Sequence, residues 1–213
     1  MEKNLKKRIL TVFLVIVGVL IVLGLLVHLL TKWDNGLSEE DQDGKQPIES
    51  VTIEFSTEYV TDEEELLSDD KYLGYDRTVY YVPQAGVVIG LTEDSYDDYG
   101  ACTELICNFL TSIINGDADS YNEYFSELYY KTNAPQAPFS MQKLYAITIT
   151  PYSETDKSSD GRKYTEYIYA LDYRIRRNNG SLRPDIDSDG IRTQYIVLTD
   201  REGDLKIDRL FCP

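Results

Sequence analysis

The chain has 213 residues and a formal net charge of −16, with 37 Asp/Glu against 21 Lys/Arg. An acidic balance of this size repels phosphate backbones and anionic surfaces, which sets aside a nucleic-acid-binding role. Three cysteines, Cys102, Cys107 and Cys212, are too few for a disulfide framework, so a core has to come from hydrophobic packing.

Residues 1–8 hold Lys3, Lys6, Lys7 and Arg8, and the apolar run ILTVFLVIVGVLIVLGLLVHLL follows at 9–30. As a helix at about 1.5 Å per residue, this run matches the hydrocarbon thickness of a bilayer. A cleaved signal peptide would have a shorter apolar core and a small-x-small cleavage site, and neither is present. A buried helix of a soluble domain is rarely apolar all round over such a length. The run therefore predicts an uncleaved transmembrane helix. Four cations precede it and only Lys32 closely follows, so the positive-inside rule predicts a cytoplasmic tail at 1–8 and an exported remainder. The expected location is the plasma membrane, with the C-terminal domain outside. Trp33 falls where an interfacial aromatic anchor belongs, and His28, near the end of the run, has no carboxylate within it to pair with.

The charge is unevenly spread. Residues 33–100 carry three Lys/Arg against 19 Asp/Glu, whereas 101–213 carry 13 against 17. Residues 31–50 are polar, acidic and punctuated by Gly and Pro, which predicts an extended linker. Residues 51–94 predict a small β element or stalk that packs on the domain beyond it. Within it, 51–60 alternates with strand period and the run Asp62-Glu63-Glu64-Glu65 reads as a solvated loop. The segments 78–82 and 87–91 read as a hairpin across Pro83-Gln84-Ala85-Gly86.

From 101 the period turns helical. Cys102, Ile106, Phe109, Leu110 and Ile113 share one face of a helix over 101–115, Gly116 stops it, and Asp117 caps a second helix to about 131. Strands follow at 145–151, 163–176, 191–199 and 205–211. On the second of these Tyr167, Tyr169, Leu171, Tyr173 and Ile175 alternate with Glu166, Asp172, Arg174 and Arg176. Helices followed by an antiparallel meander give an α+β order.

The phrase FLTSIINGDADSYNEYFS at 109–126, followed by four strands, resembles the opening of the NTF2-like (cystatin-like) superfamily over residues 95–213. The resemblance implies helices packed on a curved antiparallel sheet around a cone-shaped cavity. That fold hosts isomerases, dehydratases, transport factors and secretion-system scaffolds, so it chooses no activity. Its enzymes usually work through a His/Asp or Asp/Tyr set inside the cone. This chain has no histidine beyond residue 28, and its tyrosine-rich strand reads as core or cavity wall.

The sequence offers no catalytic residues and no cofactor motif: no Gly-rich phosphate loop, Cys/His metal set or Ser/His/Asp triad. Asp185, Asp187 and Asp189, followed by Gly190, match the first half of a calcium loop, D-x-D-x-D-G. The twelfth position is Ile196 rather than the bidentate carboxylate. An acidic connecting loop is the competing reading. Cys102 and Cys107 point about 140° apart on a helix and should not pair with each other. The resemblance implies a first helix lying across the last strand, which would bring Cys212 toward Cys102 or Cys107 as a disulfide.

The expected role is a non-catalytic, membrane-anchored, extracytoplasmic binding or assembly module with protein partners and the bilayer as its contacts. Two alternatives stay open. One is a component of a conjugation or secretion apparatus, which shares the plan of short tail, single span and NTF2-like domain. The other is a small-molecule cavity enzyme or sensor.

Overall fold

The computed structural model describes residues 53–213, and the predicted tail, span and acidic linker lie outside the described residues. Among the described residues no helix is long and apolar enough to cross a membrane. The fold is α+β: a six-stranded sheet of order β2-β1-β3-β4-β5-β6 with a few short helices and one longer one. The strands are β1 (Val79–Gln84), β2 (Val87–Leu91), β3 (Lys143–Ser159), β4 (Arg162–Arg176), β5 (Gln194–Thr199) and β6 (Lys206–Phe211).

The sheet is mixed, not antiparallel throughout. The meander β3–β6 is antiparallel, but β1 lies parallel to β3, with Val79 opposite Ile147 and Tyr81 opposite Ile149. The hairpin expected to pack on the domain is thus built into its sheet. Strand β3 carries two register shifts, at Ala146 and at Tyr152, where an extra residue bends the strand and increases its twist. Beyond Glu166, where β5 no longer flanks β4, β3 and β4 run on as a two-stranded arm. Its tip, Asp160-Gly161, has φ of 53° and 75° between the paired Ser159 and Arg162, the signature of a type I′ turn.

Five helices flank the sheet among the described residues: α1 (Glu63–Leu67), α2 (Asp70–Leu73), α3 (Ala101–Ile114), α4 (Ala118–Glu123) and α5 (Glu127–Tyr130). Helix α3 follows the predicted face. Its Ile106, Phe109, Leu110 and Ile113 are buried in the main core together with Ile147, Ile149, Leu171, Tyr173, Ile196, Leu198 and Ile207 from the sheet. Gly116 stops it in the left-handed region at φ 65°, and the Asp117 carboxylate accepts from Ser120 N to start α4.

The helix expected from 117 to about 131 is broken instead. At Tyr124–Ser126 the chain turns to form a parallel bridge with β6, Ile207 N donating to Tyr124 O and Ser126 N to Ile207 O. It restarts as α5 with Ser126 as cap. Of the strand expected at 51–60, the described residues 53–60 join no sheet, and the acidic run becomes α1 because the Asp62 side chain caps it at Glu65 N. A second, small core of Val60, Leu66 and Tyr72 packs this N-terminal strap against Ile114 and Met141.

Candidate functional site

The two faces of the sheet differ in what covers them. Strand parity sends Ile149, Leu171, Ile196, Leu198 and Ile207 into the main core under α3 and α4. The alternate residues face the other way, where the strap with α2 covers the Lys143–Arg176 end and the far end is left open. On this open face Tyr152, Tyr195 and Phe211 form a row. The Tyr152 and Tyr195 rings meet edge to face with centroids 5.4 Å apart, and Tyr195 stacks on Phe211 at 5.2 Å. Tyr195 opposes Phe211 across β5–β6 and Ala170 across β4–β5, so the row follows from register.

Tyr152 is a bulge residue, which is why it stands out of the ladder at 68% exposure; Phe211 is 39% exposed. The Arg209 guanidinium lies 5.3 Å over the Phe211 ring. Aromatic rings with an adjacent arginine are the composition that protein interfaces favour, since rigid rings give contact area at little cost in entropy.

A second cluster lies inside the molecule and binds the strap to the sheet. Lys143, 3% exposed at the start of β3, donates to Glu58 Oε1 at 2.6 Å and to Asp69 Oδ2 at 3.3 Å. Arg176 Nε at the end of β4 also donates to Asp69 Oδ2, at 2.9 Å, and Arg177 reaches Glu58 Oε2 at 3.1 Å. Asp69 further accepts from Lys71 N and Tyr72 N as the cap of α2. Burial alone would raise the Asp69 pKa. Its bonds from Arg176, Tyr72 N and Lys143 outweigh that and hold it well below the usual carboxylate range. Three cations share two carboxylates, and each of the five groups has a partner, so the cluster is a clasp.

The three aspartates of the candidate calcium loop do not share a centre. Asp185 is held by Arg183 in a two-point pair at 2.7 and 2.9 Å and lies 3.4 Å from Arg192. Asp189 accepts from the Tyr145 hydroxyl at 2.8 Å, and Asp187 is exposed. Among the described residues no three His, Cys, Asp or Glu side chains converge as a ligand set. With two of the three carboxylates already paired, 1 mM Ca²⁺ is expected to leave the melting temperature of the protein unchanged. A rise that Asp187→Ala abolishes would contradict this pairing.

Arg183 itself is buried and gives a hydrogen bond to the Tyr173 hydroxyl at 2.9 Å and to Cys212 Sγ at 3.7 Å. All three cysteines are free thiols. Cys102 is buried in the main core, while Cys212 lies at the Arg183–Tyr173 end. Burial pushes the Cys102 thiol up to about 11 and Cys107 up to about 12. In the native protein Cys212 is therefore expected to react first with a thiol reagent and the other two only on unfolding, with three thiols titrating in the denatured, unreduced chain. Two fewer thiols in that titration would reveal a bond.

Sequence reading missed the clasp and the Arg183 pair. The signals were a lone Lys143 opening an apolar strand and the Arg176-Arg177 doublet closing its neighbour. Comparison with protein-family models, with curated proteins and with solved structures returned no match.

Proposed function

We propose that the chain is a single-pass, membrane-anchored binding or assembly module, its N-terminus cytoplasmic and its α+β domain outside the membrane, docking a protein partner on the open sheet face. The observation that carries the docking role is the aromatic row Tyr152–Tyr195–Phe211, exposed at Tyr152 and Phe211 and half-buried at Tyr195, with Arg209 beside it. The anchoring rests on the 22-residue apolar run at 9–30 and on the four cations ahead of it. The helix–Gly116–Asp117–helix phrase and the four-strand meander after it support an NTF2-like domain, with the β1–β2 hairpin as an addition in front of it. The same plan of short tail, one span and such a domain supports a component of a conjugation or secretion apparatus as the particular form of this role.

Two measurements test the reading. Protease added outside intact cells should remove nearly all the mass beyond the linker; full protection of the domain would overturn the orientation. The triple change Tyr152→Ser, Tyr195→Ser and Phe211→Ser should lower the yield of proteins crosslinked to the anchored chain at least tenfold while leaving its melting temperature within a few degrees. An unchanged crosslinking pattern would remove the open face from the role.

A further inference from the structure

Among the described residues several stretches of backbone edge in this sheet face away from a neighbouring strand, and the fold treats them differently. The outer side of β6 is taken up at Ile207 by the bridge to Tyr124 and Ser126. The outer side of β3 beyond Ile149, where β1 ends, carries Pro151, the bulge at Tyr152 and the charges of Glu154, Asp156 and Lys157. Proline, bulges and charge are the devices that keep an edge from pairing with another chain. The outer side of β2 has none of them. Its residues are Val87-Val88-Ile89-Gly90-Leu91, and among the described residues their main-chain groups bond only to β1. Val88 is 63% exposed.

We propose that β2 pairs with β2 of a second copy of this chain, antiparallel and centred on Ile89, joining two sheets into one across a two-fold axis. The strand is complementary to itself in that register. Val88 stands opposite the partner copy's Gly90, so the exposed isopropyl group lies over a residue with no side chain. Val87 stands opposite Leu91 and Ile89 opposite Ile89, which continues the core face of one sheet into the next.

Charge selects the direction of pairing. β2 is followed by Glu93 and Asp94 and preceded by the uncharged Gln84-Ala85-Gly86. The antiparallel arrangement places the acidic turn at Glu93 and Asp94, just past the end of β2, toward the partner copy's uncharged Ala85–Gly86 hairpin turn. A parallel pairing would set the acids beside themselves, at a cost from like charges directly opposite. Five residues a side is a short interface by the standard of stable complexes, so the association is weak in dilute solution and is favoured where copies are concentrated together.

The test uses the full chain in detergent, in a Cys212→Ser background that removes the most accessible native thiol. Differently tagged V88C and G90C chains are mixed and oxidised. The mixed disulfide should form at least tenfold faster than V88C with V88C, or than V88C with Y152C. Because a side chain at Gly90 meets Thr78 Cγ2 at 3.3 Å, a second readout avoids that position. V88K should weaken self-association measured by sedimentation at least tenfold against wild type, with an unchanged melting temperature. Since both chains keep residues 9–30, any association through that segment cancels in the comparison. Equal crosslinking rates, V88K associating as wild type does, or a wild-type chain that stays monomeric and instead takes up a strand of another protein on β2 would each overturn the proposal.

Discussion

Asp69→Ala is expected to destabilise the domain by about 3–5 kcal/mol, because it leaves two buried cations without their shared partner. Lys143 is 3% exposed and Arg176 nearly as buried, and both donate to Asp69 Oδ2. The alanine also removes the cap at Lys71 N and Tyr72 N, so α2 loses its start together with the strap's hold on the sheet. For a domain of this size the melting temperature should fall by roughly 10 °C, read by circular dichroism.

Asp69→Asn keeps a capping oxygen but not the charge, and should fall between alanine and wild type. A loss under about 1 kcal/mol for alanine would mean that the strap is held by the Val60–Leu66–Tyr72 packing alone. The pH dependence carries a sign. The folded-state pKa of Asp69 is depressed, so its contribution is fully present above the ordinary aspartate value near 4. It is lost as the pH falls from there through the depressed value. Wild type should therefore lose its advantage over Asp69→Ala on acidification below about pH 4, and the two stability curves should run parallel above it. Glu58, also depressed by its bonds from Lys143 and Arg177 despite burial, steepens the same acid limb.

Gly116→Ala is expected to cost about 3 kcal/mol or more, and for a different reason. At φ 65° an alanine is strained. Its Cβ would also lie 2.7 Å from Met141 N and 3.0 Å from Ser140 C. Those neighbours are backbone and cannot swing aside. Met141 N donates to Val60 O and Gln142 N to Ile114 O, which pins the segment between the strap and α3. Denaturant titration should show the midpoint falling with the slope unchanged; a change in slope would point to a loosened native state. Gly161→Ala is the control: its φ of 75° carries a similar strain but nothing lies within 4 Å of the added Cβ. The difference between the two variants isolates the clash.

Local chemistry was legible in the sequence where a single residue decided it. Gly116 and Asp117 marked the end of α3 and the start of α4, and Pro83-Gln84-Ala85-Gly86 marked the β1–β2 hairpin. The period-two run from Tyr167 to Ile175 gave the buried face of β4 correctly. What stayed hidden depended on partners distant in the chain. Residues 152–159, Tyr-Ser-Glu-Thr-Asp-Lys-Ser-Ser, have no apolar alternation, because their strand pairs with an exposed arm and buries neither face. Residues 53–60 alternate like a strand, yet their Glu58 is drawn to Lys143 and their Val60 to Met141, and no sheet edge receives them. The parallel placement of β1 against β3 left no mark at all, since either direction satisfies the same burial pattern. The open aromatic row was hidden for a related reason. Tyrosines point to core or solvent alike until a bulge at Tyr152 and the β5–β6 register settle which.

The parallel pairing has a consequence for the order in which a ribosome delivers the chain. Val79 of β1 finds its partner Ile147 only after α3, α4 and α5 have all been made. Until then the β1–β2 hairpin has no third strand to pair with, and a lone hairpin is marginal in water. Its uncharged strands thus wait as the part of the nascent chain most open to wrong pairing. Closure of the sheet is a late, non-local event, and the rate at which β3 arrives, more than the propensity of any early segment, governs how long that window stays open.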